Sequence, residues 1–224
     1  MQELEHNEIV FSFPDLNAGA ILRIHFRAPD PADETRQPLT MVDRRIVLAC
    51  PKRTVLHLRP NILRQDVHSE LRYPFAVIIS VNGLNALTGE VCDGMVRSPQ
   101  NYLVTPPQGA IGGYFSQGQV HPFRALGMSP PNGTRLEIQV FPMSKQSFDG
   151  FVSQKIKCGY DGPVIRGMTL SHGGERQCEP IYEDMLSLGD WDRARGERAM
   201  IWLDGKQDEL SEEANFKNMK RRTP

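Results

Sequence analysis

No run of apolar residues in the 224-residue chain approaches the roughly 20 that a transmembrane helix needs. The chain also lacks an excess of charge, because 26 basic and 27 acidic residues give a formal net charge of −1. Such a balance provides no electrostatic attraction to nucleic acid or anionic lipid. The first eight residues are acidic, whereas a signal peptide begins basic and continues apolar. We therefore expect a soluble cytoplasmic protein with no nucleic-acid partner and no membrane partner.

Cysteine is scarce and its spacing is uninformative, with residues at positions 50, 92, 158 and 178. No two of them form a Cys-x-x-Cys pair, which excludes the usual zinc-ribbon and redox motifs. In a reducing compartment we expect free buried thiols rather than two disulfides.

Signature motifs of common enzymes are also missing. The chain contains no Gly-x-Ser-x-Gly, no His-Glu-x-x-His, no dinucleotide-binding glycine fingerprint and no kinase motif set. These absences argue against common hydrolases, zinc peptidases, dehydrogenases and kinases. They leave open whether the protein is an enzyme, and they predict no cofactor.

Apolar and polar residues alternate in several stretches of the sequence, as expected for strands with one buried face. In the stretch 21–27, Arg23, His25 and Arg27 are predicted to face water while the residues between them face a core. The stretch 75–81 is apolar throughout and indicates a central strand covered on both faces. Other predicted strands include 9–13, 135–140 and 199–203. Since the 19 Gly and 17 Pro fall mostly between these segments, we predict a mainly β protein, an antiparallel sandwich or barrel-like fold, in one domain over residues 1–205.

Helical patterning is confined to two stretches. Residues 147–156 are compatible with a short helix. Residues 206–224 are predicted to be a C-terminal helix or a frayed tail, because acidic residues come first and basic residues last, which suits the helix dipole.

Several motifs occur in a fixed order from Tyr73 onward. They are Tyr-Pro-Phe-Ala-Val at 73–77, Asn-Ala at 85–86, Thr-Gly-Glu at 88–90, Gln-Asn-Tyr-Leu-Val-Thr-Pro at 100–106, the block 118–127, Gly-Gly at 173–174, Tyr-Glu-Asp at 182–184 and Asp-Trp-Asp at 190–192. This series resembles a family of largely uncharacterised fungal and bacterial proteins, some joined to a ubiquitin-like domain. The resemblance implies a shared fold but no mechanism. His121-Pro122 stands where the family has Arg-Gln, so any activity that depends on that arginine is expected to be lost or altered.

Three residues are candidates for catalysis. His121 precedes a proline in the resembling block and could act as a general base near neutral pH. His172 and Cys178 are six positions apart, and a thiol beside an imidazole could be an activated nucleophile. The alternatives are a turn histidine bonded to backbone and a buried structural thiol.

Candidate binding residues are aromatic or acidic. The side chains of Tyr102, Tyr114, Phe123 and Trp191 could line a groove, or they could be core residues at strand ends. Asp190 and Asp192 are weak candidates for a metal site, although acids around a tryptophan more often cap turns.

Three functional hypotheses remain open. The leading one is a non-catalytic β-rich module that binds a protein or small ligand. The second is a small enzyme with its site at the strand ends, using His121, His172, Cys178 or the acids at 183–192, which requires at least two of these to converge in one pocket. The third is a structural subunit that forms a homo-oligomer through an edge strand.

Overall fold

The computed structural model describes residues 2–16, 19–30, 35–49, 53–66, 69–125, 133–155, 164–169 and 180–205. Several predicted features lie outside these ranges. They are His172, the C-terminal stretch 206–224 and three of the four cysteines, Cys50, Cys158 and Cys178. Cys92 lies within them and is a free thiol.

The described chain consists mainly of short strands. They are Gln2–Glu5 (β1), Glu8–Ser12 (β2), Ile21–Arg27 (β3), Leu39–Val42 (β4), Arg45–Ala49 (β5), Val55–Pro60 (β6), Ile62–Asp66 (β7), Ser69–Arg72 (β8), Phe75–Val81 (β9), Leu84–Asn85 (β10), Leu103–Thr105 (β11), Ala110–Ile111 (β12), Gly113–Ser116 (β13), Gln119–Pro122 (β14), Thr134–Pro142 (β15), Val164–Thr169 (β16), Pro180–Tyr182 (β17) and Glu197–Asp204 (β18). Lys145–Lys155 forms an α-helix (α1), and Leu188–Asp190 and Arg193–Arg195 form single 3₁₀ turns. No helix among the described residues is long and apolar enough to span a membrane.

Two larger sheets form the body of the fold. A five-stranded sheet has the order β1-β2-β3-β6-β12, with antiparallel neighbours throughout. A seven-stranded sheet has the order β10-β9-β15-β18-β5-β4, and β11 also pairs with β9. The pairs β7–β8, β13–β14 and β16–β17 form separate two-stranded ribbons. The fold is sandwich-like and mainly antiparallel rather than a closed barrel.

One strand pair departs from the antiparallel pattern. β18 runs parallel to β5, with Ile201 opposite Ile46 and Leu203 opposite Leu48. A parallel pair needs a long connection, and here more than 140 residues separate the two strands in sequence. Local periodicity carries no information about such a pairing.

Among the described residues, one hydrophobic core contains side chains from both large sheets. Alternate positions of β2 and β3 contribute Phe11, Leu22 and Ile24, and β15 contributes Leu136 and Ile138. These are the alternating segments from which the sandwich was predicted, so the mainly β fold class is confirmed. The short helix expected at 147–156 is also confirmed, at Lys145–Lys155.

The prediction of a central strand is confirmed in β9, whose seven residues are all buried. β15 and β11 flank it on either side. The loop after β10 covers its outer face, where Val96 is buried and a Cβ on Gly94 would lie 2.6 Å from Oε1 of Gln139. Coverage on both faces explains why Phe75 to Val81 carries no charged residue.

One expectation for β3 is wrong in part. His25, predicted to face water, is only 1% exposed, while Arg23 and Arg27 are half-buried. The outer face of the five-stranded sheet is therefore covered at this point, and the covering side chains form the site described below.

Candidate functional site

The outer face of the five-stranded sheet carries a dense group of charged and imidazole side chains. Strand register places Arg23 of β3 directly opposite Arg59 of β6, and His25 opposite His57. The pairing of β2 with β3 puts Glu8 on this same face. Because like charges directly opposite each other destabilise a strand pair, the two arginines need a neighbouring negative charge.

Glu8 supplies that negative charge. Its buried side chain places Oε1 3.1 Å from Nη2 of Arg36 and 3.9 Å from Nη1 of Arg59. Oε1 is also 3.8 Å from Nδ1 of His25, and Oε2 is 3.7 Å from Nε of Arg23. Within the described part of the chain, Oε1 accepts no hydrogen bond. The carboxylate therefore attracts three guanidinium groups without being saturated by them.

Arg36 reaches this face because residues 36–37 continue the sheet beside the end of β3. Arg36 forms a β-bridge with Arg27, and the Gln37 backbone N–H donates to the Phe26 carbonyl at 2.8 Å. The Gln37 side chain is held in turn by the hydroxyl of Thr54. Two hydrogen-bonded anchors thus fix the backbone that carries Arg36, although its position could not be read from the sequence.

Next to Arg23 and Arg59 on the same two strands lies a stacked pair of imidazoles. The rings of His25 and His57 are 5.0 Å apart between centroids and 11° from coplanar. Burial lowers the pKa of His25 to about 3, and the charges of His57, Arg27, Arg36 and Arg59 act in the same direction. His25 is therefore neutral near pH 7 and adds no charge to the site.

Glu8 and the three arginines around it border a cavity of about 500 Å³ that opens to solvent. We call it the arginine pocket, and it is lined by Glu8, Arg23, Arg36, Arg59, Pro60, Asn61, Ile62 and Arg72. Arg23 donates to the side-chain oxygen of Asn61, and Nη1 of Arg72 donates to the Pro60 carbonyl at 3.3 Å. Ile62 and Arg72 face each other across the base of the β7–β8 ribbon. The pocket therefore spans the join between the large sheet and this ribbon.

The described side chains around Glu8 carry an excess of positive charge. The guanidinium groups of Arg23, Arg36 and Arg59 surround its one carboxylate, although the whole chain is nearly neutral. Guanidinium groups present planar pairs of donors that match carboxylate and phosphate oxygens. The chemistry that this arrangement supports is binding of an anion.

His121 lies elsewhere, on β14. Its Nε2 is 3.2 Å from the Ser116 carbonyl, across the turn of the β13–β14 ribbon, and its ring is 5.5 Å from that of Tyr114. This is the geometry expected of a turn histidine bonded to backbone. The described contacts do not join His121 to any of the acids at 183–192.

The candidate aromatic residues are mostly internal. Tyr102, Phe123 and Trp191 are each no more than 3% exposed, and Tyr114 is half-buried against Phe123. The Tyr102 hydroxyl and the Trp191 indole N–H both donate to Oδ2 of Asp184, the latter at 3.0 Å. The pKa of Tyr102 is raised, mainly because the side chain is buried and secondly because of this bond to Asp184. Tyr102, Phe123 and Trp191 thus match the alternative interpretation of core residues at strand ends.

The two aspartates considered as metal ligands are engaged with nearby groups. Burial raises the pKa of Asp190, but hydrogen bonds from Ser147 and Ser187 outweigh it, so the pKa is lowered overall. Oδ2 of Asp192 lies 3.2 Å from Nε of Arg195. No group of three or more His, Cys, Asp or Glu side chains within the described ranges is placed to hold a metal ion. Since His172 and Cys178 lie outside those ranges, the convergence required by the enzyme hypothesis stays a prediction.

Other residues of the resembling motifs join distant segments of the fold. Gln100 donates to the Tyr182 carbonyl at 3.1 Å and accepts from the Asp184 backbone N–H at 2.8 Å. Asn85 accepts from the backbone N–H groups of Leu87 and Thr88 and donates to the Asn101 carbonyl. These bonds give the motif residues a structural role.

In comparisons with known proteins, no protein family, no curated protein and no solved structure matched the chain. The family resemblance therefore stays a prediction, and the functional proposal rests on the geometry of the site.

The arginine pocket was not predicted from the sequence. Its residues come from five separate stretches between positions 8 and 72, and none forms a motif. One signal was available, namely the basic and imidazole residues at alternate positions of β3 and again at His57 and Arg59 of β6. Only the strand pairing shows that these residues share a face with Glu8.

Proposed function

We propose that the protein is a binding module for an anionic ligand and that the arginine pocket is its site. The observation that carries this proposal is the meeting of three arginines, Arg23, Arg36 and Arg59, around one buried carboxylate in a solvent-open cavity that Arg72 also lines. It is a more specific form of the binding-module hypothesis drawn from the sequence.

The pocket has the size of a small-ligand site, and part of its wall is an ordered sheet. Its volume of about 500 Å³ falls within the range of roughly 300–1,000 Å³ common for such sites. Arg23 and Arg59 stand on paired strands near the centre of a sheet, so their backbones are already in place before a ligand arrives. Preorganised donors lower the entropic cost of binding.

The test is a titration of the full chain with anions. Binding is measured by thermal unfolding and by NMR. Phosphate, sulfate and acetate serve as probes, and at least one should raise Tm in a concentration-dependent way. Arg59→Gln removes a half-exposed pocket arginine and should weaken binding about tenfold, because hydrogen bonds to charged groups contribute about 1.5–3 kcal/mol.

Arg198→Gln is the matched control. Arg198 is comparably exposed and also pairs with a glutamate, Glu137 at 3.4 Å, but it lies on β18 outside the pocket. The proposal fails if none of the three anions binds, or if Arg198→Gln weakens binding as much as Arg59→Gln does.

A separate observation favours self-association as a second candidate. β4 ends the seven-stranded sheet, and its residues Thr40, Met41 and Val42 are exposed. An edge strand with exposed apolar side chains can pair with a second copy. Light scattering should then show a dimer that Met41→Asp converts to a monomer, and a wild-type protein that is monomeric at high concentration would exclude this candidate.

A further inference from the structure

We propose that the arginine pocket takes a small phosphate monoester and that Glu8 competes as an internal carboxylate for the guanidinium groups that hold it. This inference rests on the proposed function and assigns the chemical class of the ligand. It follows from the position of Glu8, the charge of the lining and the mixed chemistry of the walls.

Glu8 stands where a bound anion would stand. It lies within 3.1–3.9 Å of guanidinium nitrogens from Arg23, Arg36 and Arg59, which come from β3, the segment after it and β6. Its Oε1 nevertheless accepts no hydrogen bond from the described residues. An arginine has five N–H donors, so the three guanidinium groups retain capacity for a second acceptor. The built-in carboxylate orders the arginines without exhausting them.

The charge of the lining favours an anion with two charges over an anion with one. Arg23, Arg36 and Arg59 surround the single carboxylate of Glu8, so this part of the lining has two positive charges in excess. In a positive potential, the attraction of an anion grows with its charge. A phosphate monoester carries about −1.5 to −2 at neutral pH and offers three strong acceptor oxygens, whereas a carboxylate or sulfate ester carries a single charge.

The rest of the pocket suits the organic part of a monoester. Pro60 and the half-exposed Ile62 form an apolar section of wall beside the arginines. A cavity of this volume holds a small molecule rather than a long chain. The ligand class is thus a phosphate group on a compact, partly apolar body.

Phenyl phosphate, phenyl sulfate and benzoate form a matched set of probes. The first two share a tetrahedral head and a phenyl body but differ in charge, and the third has a planar head with one charge. Titration calorimetry of the full chain at about pH 8, where the phosphate ester is close to doubly charged, should give at least tenfold tighter binding of phenyl phosphate than of either other probe.

Glu8→Gln tests the competition while keeping the side-chain shape. Removing the carboxylate should strengthen phenyl phosphate binding several-fold and phenyl sulfate binding by less, because the repulsion from Glu8 acts on two charges in the first case. Arg59→Gln should weaken both, and Arg198→Gln should change neither. Circular dichroism of each variant checks that the fold is retained.

Each contrary result has a distinct meaning. Equal affinities for phenyl phosphate and phenyl sulfate, both weakened by Arg59→Gln, would overturn the phosphate assignment and leave the proposed function standing. Weaker phenyl phosphate binding by a folded Glu8→Gln protein would overturn the competing role of Glu8. Absence of binding by all three probes, while inorganic phosphate binds, would overturn the ligand class and leave the proposed function standing; absence of binding by phosphate, sulfate and acetate as well would overturn the anion-binding function itself. If Glu8→Gln does not fold, the comparison of the two esters on the wild-type protein still decides the ligand class.

Discussion

The imidazole rings of His25 and His57 stack 5.0 Å apart on the sheet face that also carries Arg23 and Arg59. Two imidazoles and several arginines on one sheet face would repel one another if the histidines were charged. The pKa of His25 is accordingly lowered to about 3, mainly because the ring is buried and secondly because of the positive charges of His57 and the arginines.

This relationship predicts how stability depends on pH. In the unfolded chain His25 takes up a proton near its ordinary pKa of 6.5, whereas in the folded chain it does so only near 3. Between these values the unfolded state binds more protons, so the contribution of His25 to the free energy of unfolding falls as pH falls, by at most about 1.4 kcal/mol per pH unit. His25→Gln should make the pH dependence of urea unfolding shallower over this window.

The comparison between variant and wild type removes the contributions of titrating groups that lie far from His25. His121→Gln is the control, because His121 is half-buried in a separate ribbon and contacts backbone. Identical slopes for wild type and His25→Gln would contradict the assignment of a neutral buried His25.

Asp184 is expected to be a main determinant of stability. Its Oδ2 accepts from the buried Tyr102 hydroxyl and Trp191 indole, and its Oδ1 accepts from the Leu186 backbone N–H at 2.8 Å. Asp184→Ala leaves buried donors without an acceptor, at about 1–3 kcal/mol each, so urea unfolding should show a loss of about 2–5 kcal/mol.

Asp93→Ala is a suitable comparison for this change. Asp93 pairs with Arg97 at the surface, where an ion pair contributes at most about 1 kcal/mol. If Asp184→Ala costs no more than Asp93→Ala, the hydrogen-bond network does not hold Tyr102 and Trp191 in place.

Gly113 is expected to tolerate no side chain. A Cβ at this position would lie 2.3 Å from the backbone carbonyl oxygen of His121 on the paired strand. Because a backbone atom cannot move aside as a side chain can, Gly113→Ala should cost at least about 1–3 kcal/mol and disrupt the β13–β14 ribbon. Thermal unfolding measures the loss, and NMR shifts of His121 report the ribbon.

Gly150→Ala is the same substitution in open space. Nothing lies within 4 Å of a Cβ at Gly150 in α1, and alanine favours a helix by up to about 1 kcal/mol over glycine. We therefore expect Gly113→Ala to lower Tm and Gly150→Ala to raise it. A neutral Gly113→Ala would show that the two strands of the ribbon can separate at little cost.

Tyr73 is expected to stabilise the fold through both its ring and its hydroxyl. The hydroxyl donates to the Met143 carbonyl at 2.8 Å, and the ring stacks on Phe148 with centroids 4.3 Å apart. The pKa of Tyr73 is raised to about 12, mainly because the side chain is buried and secondly because of the negative charges of Asp149 and Asp192. Tyr73→Phe keeps the ring and should cost about 1–2 kcal/mol in urea unfolding.

Tyr73→Leu removes the ring as well and should cost clearly more than Tyr73→Phe, since aromatic pairs add about 0.5–1.5 kcal/mol beyond burial. Equal losses for the two variants would show that the stacking on Phe148 contributes nothing.

Predictions for strands and predictions for exposed faces differed in outcome for a physical reason. Strands such as Leu136 to Val140 were predicted correctly because alternation along a strand is a local property, set by which side chains enter the core. His25 was placed in water wrongly, because its neighbours in sequence do not show that Glu8 and His57 lie against it. Among the candidate site residues, the roles of Tyr102 and Trp191 depend on Asp184, whose carboxylate lies 82 positions from Tyr102 in sequence.

The sequence by itself thus determined the mainly β class, the buried strand Phe75–Val81 and the short helix, since these depend on side-chain patterns within about ten residues. The tertiary structure alone decided the parallel pairing of β18 with β5 and the assembly of the arginine pocket. Both require segments far apart in the chain to meet in one register, and a shift of one residue would turn Glu8 or Arg23 to the opposite face.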